Sequence, residues 1–318
     1  VVAELRAAGG FRGVPVPWGA LELRAGETIA SGTPNPVATR PTIDRLFPES
    51  VAARMGAALI AIDSGVTEWP VTTSSVSAGW ADGELANVSG PTAFAATDRT
   101  LSPDHNLGVQ MRVSRKALKQ SGDALEAAIR RDMQGAMAAA LDKAIFLGTG
   151  ANGQPLGIIP GVATYGITAT AVDALASWSA FRARVAAFIA ANAAGAADAV
   201  RVLIRPELWS VLDGELITGT AVSEWDRMTQ NIPARNFAMS ANALAAPSGS
   251  PSAVSALLTT SAGGVAPIFV GAWGAVDVIR DPYSDAQSGG LRLTALATFD
   301  LTVARPAQLQ VLTGLELA

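Results

Sequence analysis

Between Leu125 and Ile145 an apolar side chain returns at every fourth residue: Leu125, Ile129, Met133, Met137, Leu141 and Ile145. That spacing has one regular solution, an amphipathic helix that buries this stripe. Asp123 followed by Glu126 has the form of a capping box, so the helix is expected over 123–147, roughly 37 Å in length. Alanine and glycine fill most of its other positions and let neighbouring backbones come close. All six stripe residues are expected to face a sheet of the same chain.

That sheet has its own signature. Leu291, Leu293, Ala295, Ala297, Phe299, Leu301 and Val303 alternate with Arg292, Thr294, Leu296, Thr298, Asp300 and Thr302, the pattern of a long strand with one buried face. Shorter strands are expected at 57–63, 106–114, 199–205 and 265–273, and further helices at 177–192 and from Pro206 onward. Residues 245–264 read as a loop-like, low-complexity insertion. Residues 67–101 read as two β arms joined by the turn residues of Asp82–Pro91. The arms carry too few apolar residues to bury a face of their own, and a lone two-stranded hairpin is marginal in water. The segment is therefore expected to pack mainly on another copy and to show little burial within its own chain. Residues 1–48 are dense in glycine and proline but carry Phe11 and Trp18, which suggests an extended arm docked on a neighbour. The order of elements is α+β, without the strand–helix alternation of a doubly wound fold.

Composition narrows the function. Only 16% of the 318 residues are charged, against about 25% in ordinary domains, so much of the surface is expected to be covered by neighbours. A net charge of −4 leaves no basic field for tight binding to a phosphate backbone. Cysteine is absent and His105 is the one histidine, which excludes disulfides, thiolate sites and multi-histidine metal sites. No apolar run is long enough to span a membrane. The sequence opens Val-Val without Met, which fits either trimming or removal of an upstream segment by a protease.

Two motifs fail on context. Gly148, Gly150 and Gly153 have dinucleotide-loop spacing, but they follow a helix and lead into Gln154-Pro155, where the mechanism needs a strand before and a helix after. Asp104 and His105 are adjacent and cannot orient each other as a triad requires, whether with Ser102 or with Ser114. Arg112, Arg115, Lys116, Lys119 and the pair Arg130-Arg131 read as a solvated or intersubunit ion-pairing face. No catalytic, cofactor or metal residues are expected.

Residues 111–159 carry a more specific pattern: Val113-Ser114 closing a strand, a polar turn, the long helix, then Gly148-x-Gly150 and Gln154-Pro155-Leu156-Gly157-Ile158. This ordered set resembles Hong Kong 97-type major capsid proteins of tailed bacteriophages or related gene-transfer particles. The resemblance implies an N-terminal arm (1–48) and a peripheral domain (49–65 and 101–165) with its spine helix. It further implies an E-loop hairpin (66–100), an axial domain (166–275) and return strands of the peripheral domain (276–318). Subunit contacts would then fall on Trp69, Trp80, Glu84, Phe94 and Arg99 of the E-loop and on Phe11 and Trp18 of the arm. Asp281, Tyr283 and Asp285 would lie in a loop near three-fold contacts.

The implied partners are other copies, as hexamers and pentamers, together with a portal protein, a maturation protease and scaffold segment, and a decoration protein. Packaged double-stranded DNA would be touched weakly, and no membrane is involved. The implied location is the virion capsid, assembled in the host bacterial cytoplasm, and an encapsulin-type compartment shell is the alternative. One departure stands out. The family's name-giving member crosslinks an E-loop lysine to an asparagine, yet Lys116, Lys119 and Lys143 all lie outside 66–100 and the loop 281–290 has no asparagine. Mature shells are expected to lack that crosslink.

Overall fold

The computed structural model describes residues 50–74, 80 and 93–318. The expected arm with Phe11 and Trp18, and Glu84 in the hairpin, lie outside the described residues. In chain order the strands are β1 (Ala57–Ile62), β2 (Thr67–Thr72), β3 (Ala96–Leu101), β4 (His105–Val113), β5 (Thr168–Leu175), β6 (Arg201–Ile204), β7 (Phe237–Met239), β8 (Ala253–Thr259), β9 (Ile268–Asp281), β10 (Leu291–Val303) and β11 (Leu309–Glu316). The helices are α1 (Arg115–Leu147), α2 (Val162–Tyr165), α3 (Trp178–Ala190), α4 (Pro206–Gly214) and α5 (Glu224–Asn231).

Helix α1 starts eight residues earlier than the capping-box pattern indicates and runs for 33 residues, about 50 Å. Ser114 is its N-cap, with a side-chain oxygen accepting from Ala117 N–H at 3.3 Å. The expected polar turn is helical because one interior glycine, Gly122, costs only about 1 kcal/mol relative to alanine. Helix formers on both sides of it carry the helix through.

The apolar stripe does not stay on one face. Each residue advances about 100° around an α-helix, so a four-residue repeat drifts by about 40° per step. Ile129, Met133 and Met137 pack on β10 and β4 through Leu291, Leu293, Ala295, Ala297 and Val113. By Ile145 the stripe has wound away to a second cluster with Met55, Phe146, Ile158, Leu301 and Val303, and Leu141 lies at that cluster's edge. The expectation of six residues on one sheet face is corrected accordingly.

The four-stranded sheet has the order β1–β9–β10–β4, and the five-stranded sheet the order β5–β11–β8–β6–β7. Within the second sheet, Val202, Ile204, Val254, Ala256, Leu258, Leu312 and Leu315 meet α3, α4 and α5, where Phe181, Phe188, Leu208, Leu212 and Met228 are fully buried. The opposite face, with Leu203, Leu257, Leu309 and Val311, joins the cluster that receives the end of α1. Residues 245–264 are therefore not a loop throughout. They contain β8, a central strand covered on both faces, whose Leu257-Leu258 run lacks the alternation that marks a half-exposed strand. Two expected boundaries also move. Residue 275 falls inside β9, and β11, expected among the return strands, pairs with β5 and β8.

The glycine-rich segment after α1 is a tight return. Gly157 N–H donates to Gly148 O at 2.8 Å, and a Cβ on Gly157 would stand 2.5 Å from Gly148 N. Only two glycines can face each other this closely. The segment ends the helix and turns the chain back along it.

Candidate assembly interfaces

Strands β2 and β3 form an antiparallel pair with Trp69 opposite Arg99. Alternation gives this ribbon two unlike faces. Its inner face lies on the body of the same chain: Leu101 is fully buried, Trp69 is tilted against Phe269 with ring centroids 5.4 Å apart, and Trp273 Nε1 donates to Gly65 O nearby at 2.8 Å. The hairpin's root thus belongs to its own core, which corrects the expectation of little burial throughout. Burial falls away outward. Glu68, Pro70, Thr72, Asp98 and Thr100 face solvent, Phe94 is 77% exposed, and Trp80 is 100% exposed. Arg99 lies on the inner face with its Nε buried and without a hydrogen-bond partner.

The loop between β9 and β10 is organised by two aspartates with different tasks. Asp281 accepts from Tyr283 N–H at 2.8 Å and Ser284 N–H at 3.1 Å, and from the Ser284 hydroxyl. The Ser284 hydroxyl does most to hold the Asp281 carboxyl below the ordinary range, helped by those two N–H groups. Tyr283 is thereby presented at 84% exposure. Asp285 is buried instead, between Arg292 at 3.1 Å and Arg112 at 3.2 Å. It holds the loop to the sheet.

Two of the basic positions, Arg112 and Arg130, are engaged within the chain. Arg130 lies 2.8 Å from Glu126 and Arg280 lies 3.6 Å from the same carboxylate. The Arg130 hydrogen bond is the main reason that the Glu126 carboxyl is held below its usual range. The triad-like residues are not arranged as a relay: the Ser102 hydroxyl donates to Asp104 directly, while His105 Nε2 lies 3.6 Å from Asp300. Among the described residues no group of three or more His, Asp or Glu converges as a metal site would need, and no helix is long and apolar enough to cross a membrane.

Beneath the hairpin root lies an open groove of 730 Å³, walled by Trp69, Arg99, Phe269, Asn192 and Arg305. Sequence reading found Trp69 and Arg99 but not the opposite wall, because Asn192 and Arg305 follow elements far apart in the chain.

The model of the phage capsid family matches residues 34–220, more than half of the sequence. The chain belongs to the phage capsid family. Solved relatives share the fold of this capsid protein at low identity. The capsid of a native GTA particle aligns with a TM-score of 0.63 at 16% identity, over 87% of this chain and 94% of that one. The capsid of Myoviridae phage XM1 gives 0.61 at 13%, over 92% and 100%. Mycobacterium phage Adephagia gives 0.60 at 16%, over 94% and 97%. No curated protein matches the sequence. The fold is the α+β Hong Kong 97-type capsid fold, and the protein is a major capsid protein, a structural subunit that assembles with copies of itself into a virion shell.

Proposed function

We propose that this capsid protein forms hexamers and pentamers that close into an icosahedral or elongated shell around double-stranded DNA. The observation that carries this reading is the outward hairpin. Its root is fixed to its own core, while Phe94 and Trp80 are left at 77% and 100% exposure. Large aromatic rings are the side chains that most often anchor an interface, and a subunit surrounded by copies offers them a surface. The α1 sheet would form the peripheral part of the subunit and the five-stranded sheet the axial part, with Asp281 and Tyr283 near three-fold contacts. An arm, a portal protein, a maturation protease with its scaffold segment and a decoration protein complete the proposed partners, and assembly is placed in the host bacterial cytoplasm. Electron microscopy of the purified protein tests the shell, with closed particles expected. Extraction of nuclease-protected nucleic acid tests the cargo. Protein cargo without DNA would favour a compartment of the encapsulin type.

A further inference from the structure

The sequence holds one asparagine followed by glycine, Asn152-Gly153, in the return after α1. Gln154 N–H donates to Ala151 O at 3.1 Å, and Asn152 and Gly153 between them have φ of +55° and +75°. Positive φ at both central positions marks a type I′ turn, which asparagine-glycine fills best. All four residues of the turn are exposed. Among the described residues neither the Gly153 N–H nor the Asn152 carboxamide has a hydrogen-bond partner. A Cβ at Gly153 would meet nothing within 4 Å. An unshielded amide nitrogen therefore stands next to an untethered carboxamide.

The other asparagines among the described residues lack this combination. Asn231, Asn236 and Asn242 are tied through Nδ2 to the carbonyls of Arg227, Val200 and Ala139 at 2.8, 3.0 and 2.8 Å. Asn106 Oδ1 accepts from the Thr298 hydroxyl. Asn192 is the nearest comparison, since it is exposed and has φ of +54°. The amide after it is engaged, however: Ala193 is buried, its N–H donates to Phe188 O at 2.8 Å, and its own Cβ crowds the line of attack.

We propose that Asn152 is a self-modification site, deamidating in the folded subunit to isoaspartate and aspartate. Hydroxide takes the proton from Gly153 N, and the freed electron pair bonds to Asn152 Cγ. Nδ2 takes a proton from water and leaves as ammonia, and a five-membered succinimide remains. Water then reopens the ring. Breaking the N–Cγ bond gives aspartate, whereas breaking the bond to the main-chain carbonyl gives isoaspartate, with one more methylene in the backbone. One water is consumed and one ammonia released, and nothing is oxidised or reduced. The formal net charge of the chain falls from −4 to −5, one unit for the one new carboxylate. That carboxylate arises at a cavity of 270 Å³ lined by Lys143, His105, Asn152 and Gln154 among others, and by no aspartate or glutamate. The charge pattern around the end of α1 thus changes with the age of the subunit. The change needs only the folded chain and stands apart from the shell reading.

Peptide mapping of the full-length protein tests this. The protein is held at pH 6 and at pH 9, with circular dichroism to follow the fold, and digested with trypsin at intervals. Tryptic peptide 144–182 contains Asn152 as its one asparagine, so mass spectrometry reads the conversion there directly. Conversion is expected at least tenfold faster at pH 9 than at pH 6, with isoaspartate in excess and Asn192 intact in the same digests. A synthetic 149–156 peptide supplies the rate of the unfolded turn. A folded protein that converts within tenfold of this peptide supports the proposal. Slower conversion would overturn it, by showing that the turn holds the carboxamide away from Gly153 N. Conversion of Asn192 at the rate of Asn152 would overturn it as well, because the free amide after Asn152 would then confer nothing.

Discussion

Asp142 lies on α1, and its buried carboxylate serves another segment: Val51 N–H and Ala52 N–H donate to it at 3.0 and 2.9 Å, and Ser50 Oγ lies 3.2 Å away. We expect Asp142→Ala to leave those two amides unpaired and to lower subunit stability by about 2–4 kcal/mol in denaturant titration. A change within 0.5 kcal/mol would show that water replaces the carboxylate freely. Gly157→Ala tests the tight return after α1, since its Cβ would meet backbone atoms at 2.5–2.9 Å that cannot move aside independently. Insoluble protein, or a loss of about 3 kcal/mol or more, is the expected result. Tyr165 is buried with its hydroxyl donating to Leu156 O at 2.6 Å, and burial pushes its pKa up to about 12. The folded value lies above the unfolded value of about 10. Its contribution to stability is therefore complete below pH 10 and is lost as pH rises through about 12. In a Tyr283→Phe background, ultraviolet titration should place the tyrosinate transition near 12, together with unfolding. A transition near 10 in a folded subunit would contradict the buried hydrogen bond.

At the scale of elements, the winding of the α1 stripe separates positions that sequence spacing treats alike. Met137→Asp would place a carboxylate at a site 6% exposed over the sheet, so it should cost several kcal/mol and abolish soluble expression. Leu141→Asp lies at the edge of the next cluster and should be the milder of the two, with thermal denaturation giving the order. In the hairpin, Trp80→Ala and Phe94→Ala should leave subunit stability within about 0.5 kcal/mol, because neither side chain is covered. Both should weaken assembly, measured as the concentration at which particles appear. Unchanged assembly would remove these rings from the interface. Much of this architecture was legible: β10 was read to its ends, and α1 to its C-terminus. What escaped has physical reasons. Burial on both faces erases alternation in β8, and Ser114 caps α1 without the glutamate that would advertise a capping box. The groove was invisible because its walls meet only through tertiary packing, as with Arg99 and Arg305.

For the whole molecule, the positions of Lys116, Lys119 and Lys143 imply shells held by noncovalent contacts. Boiled particles should run as one band at the mass of a single subunit, and a ladder of multimers would refute this. The sheets carry another consequence, which concerns time. Ala57 pairs with Ile268, His105 with Phe299 and Thr168 with Gln310. Neither large sheet can be closed by neighbours in sequence, and loop-closure entropy is lost before these distant strands return any stabilisation. Local units, around α1, around α4 and α5 and in the β9–β10 hairpin, can organise early. Folding is thus expected to be slow beside the synthesis of its helices, and the supply of finished subunits becomes a kinetic valve upstream of the shell. Until α1 docks on β10, Leu291, Leu293, Ala295 and Ala297 remain uncovered, so crowded synthesis favours aggregation over delivery until that packing forms.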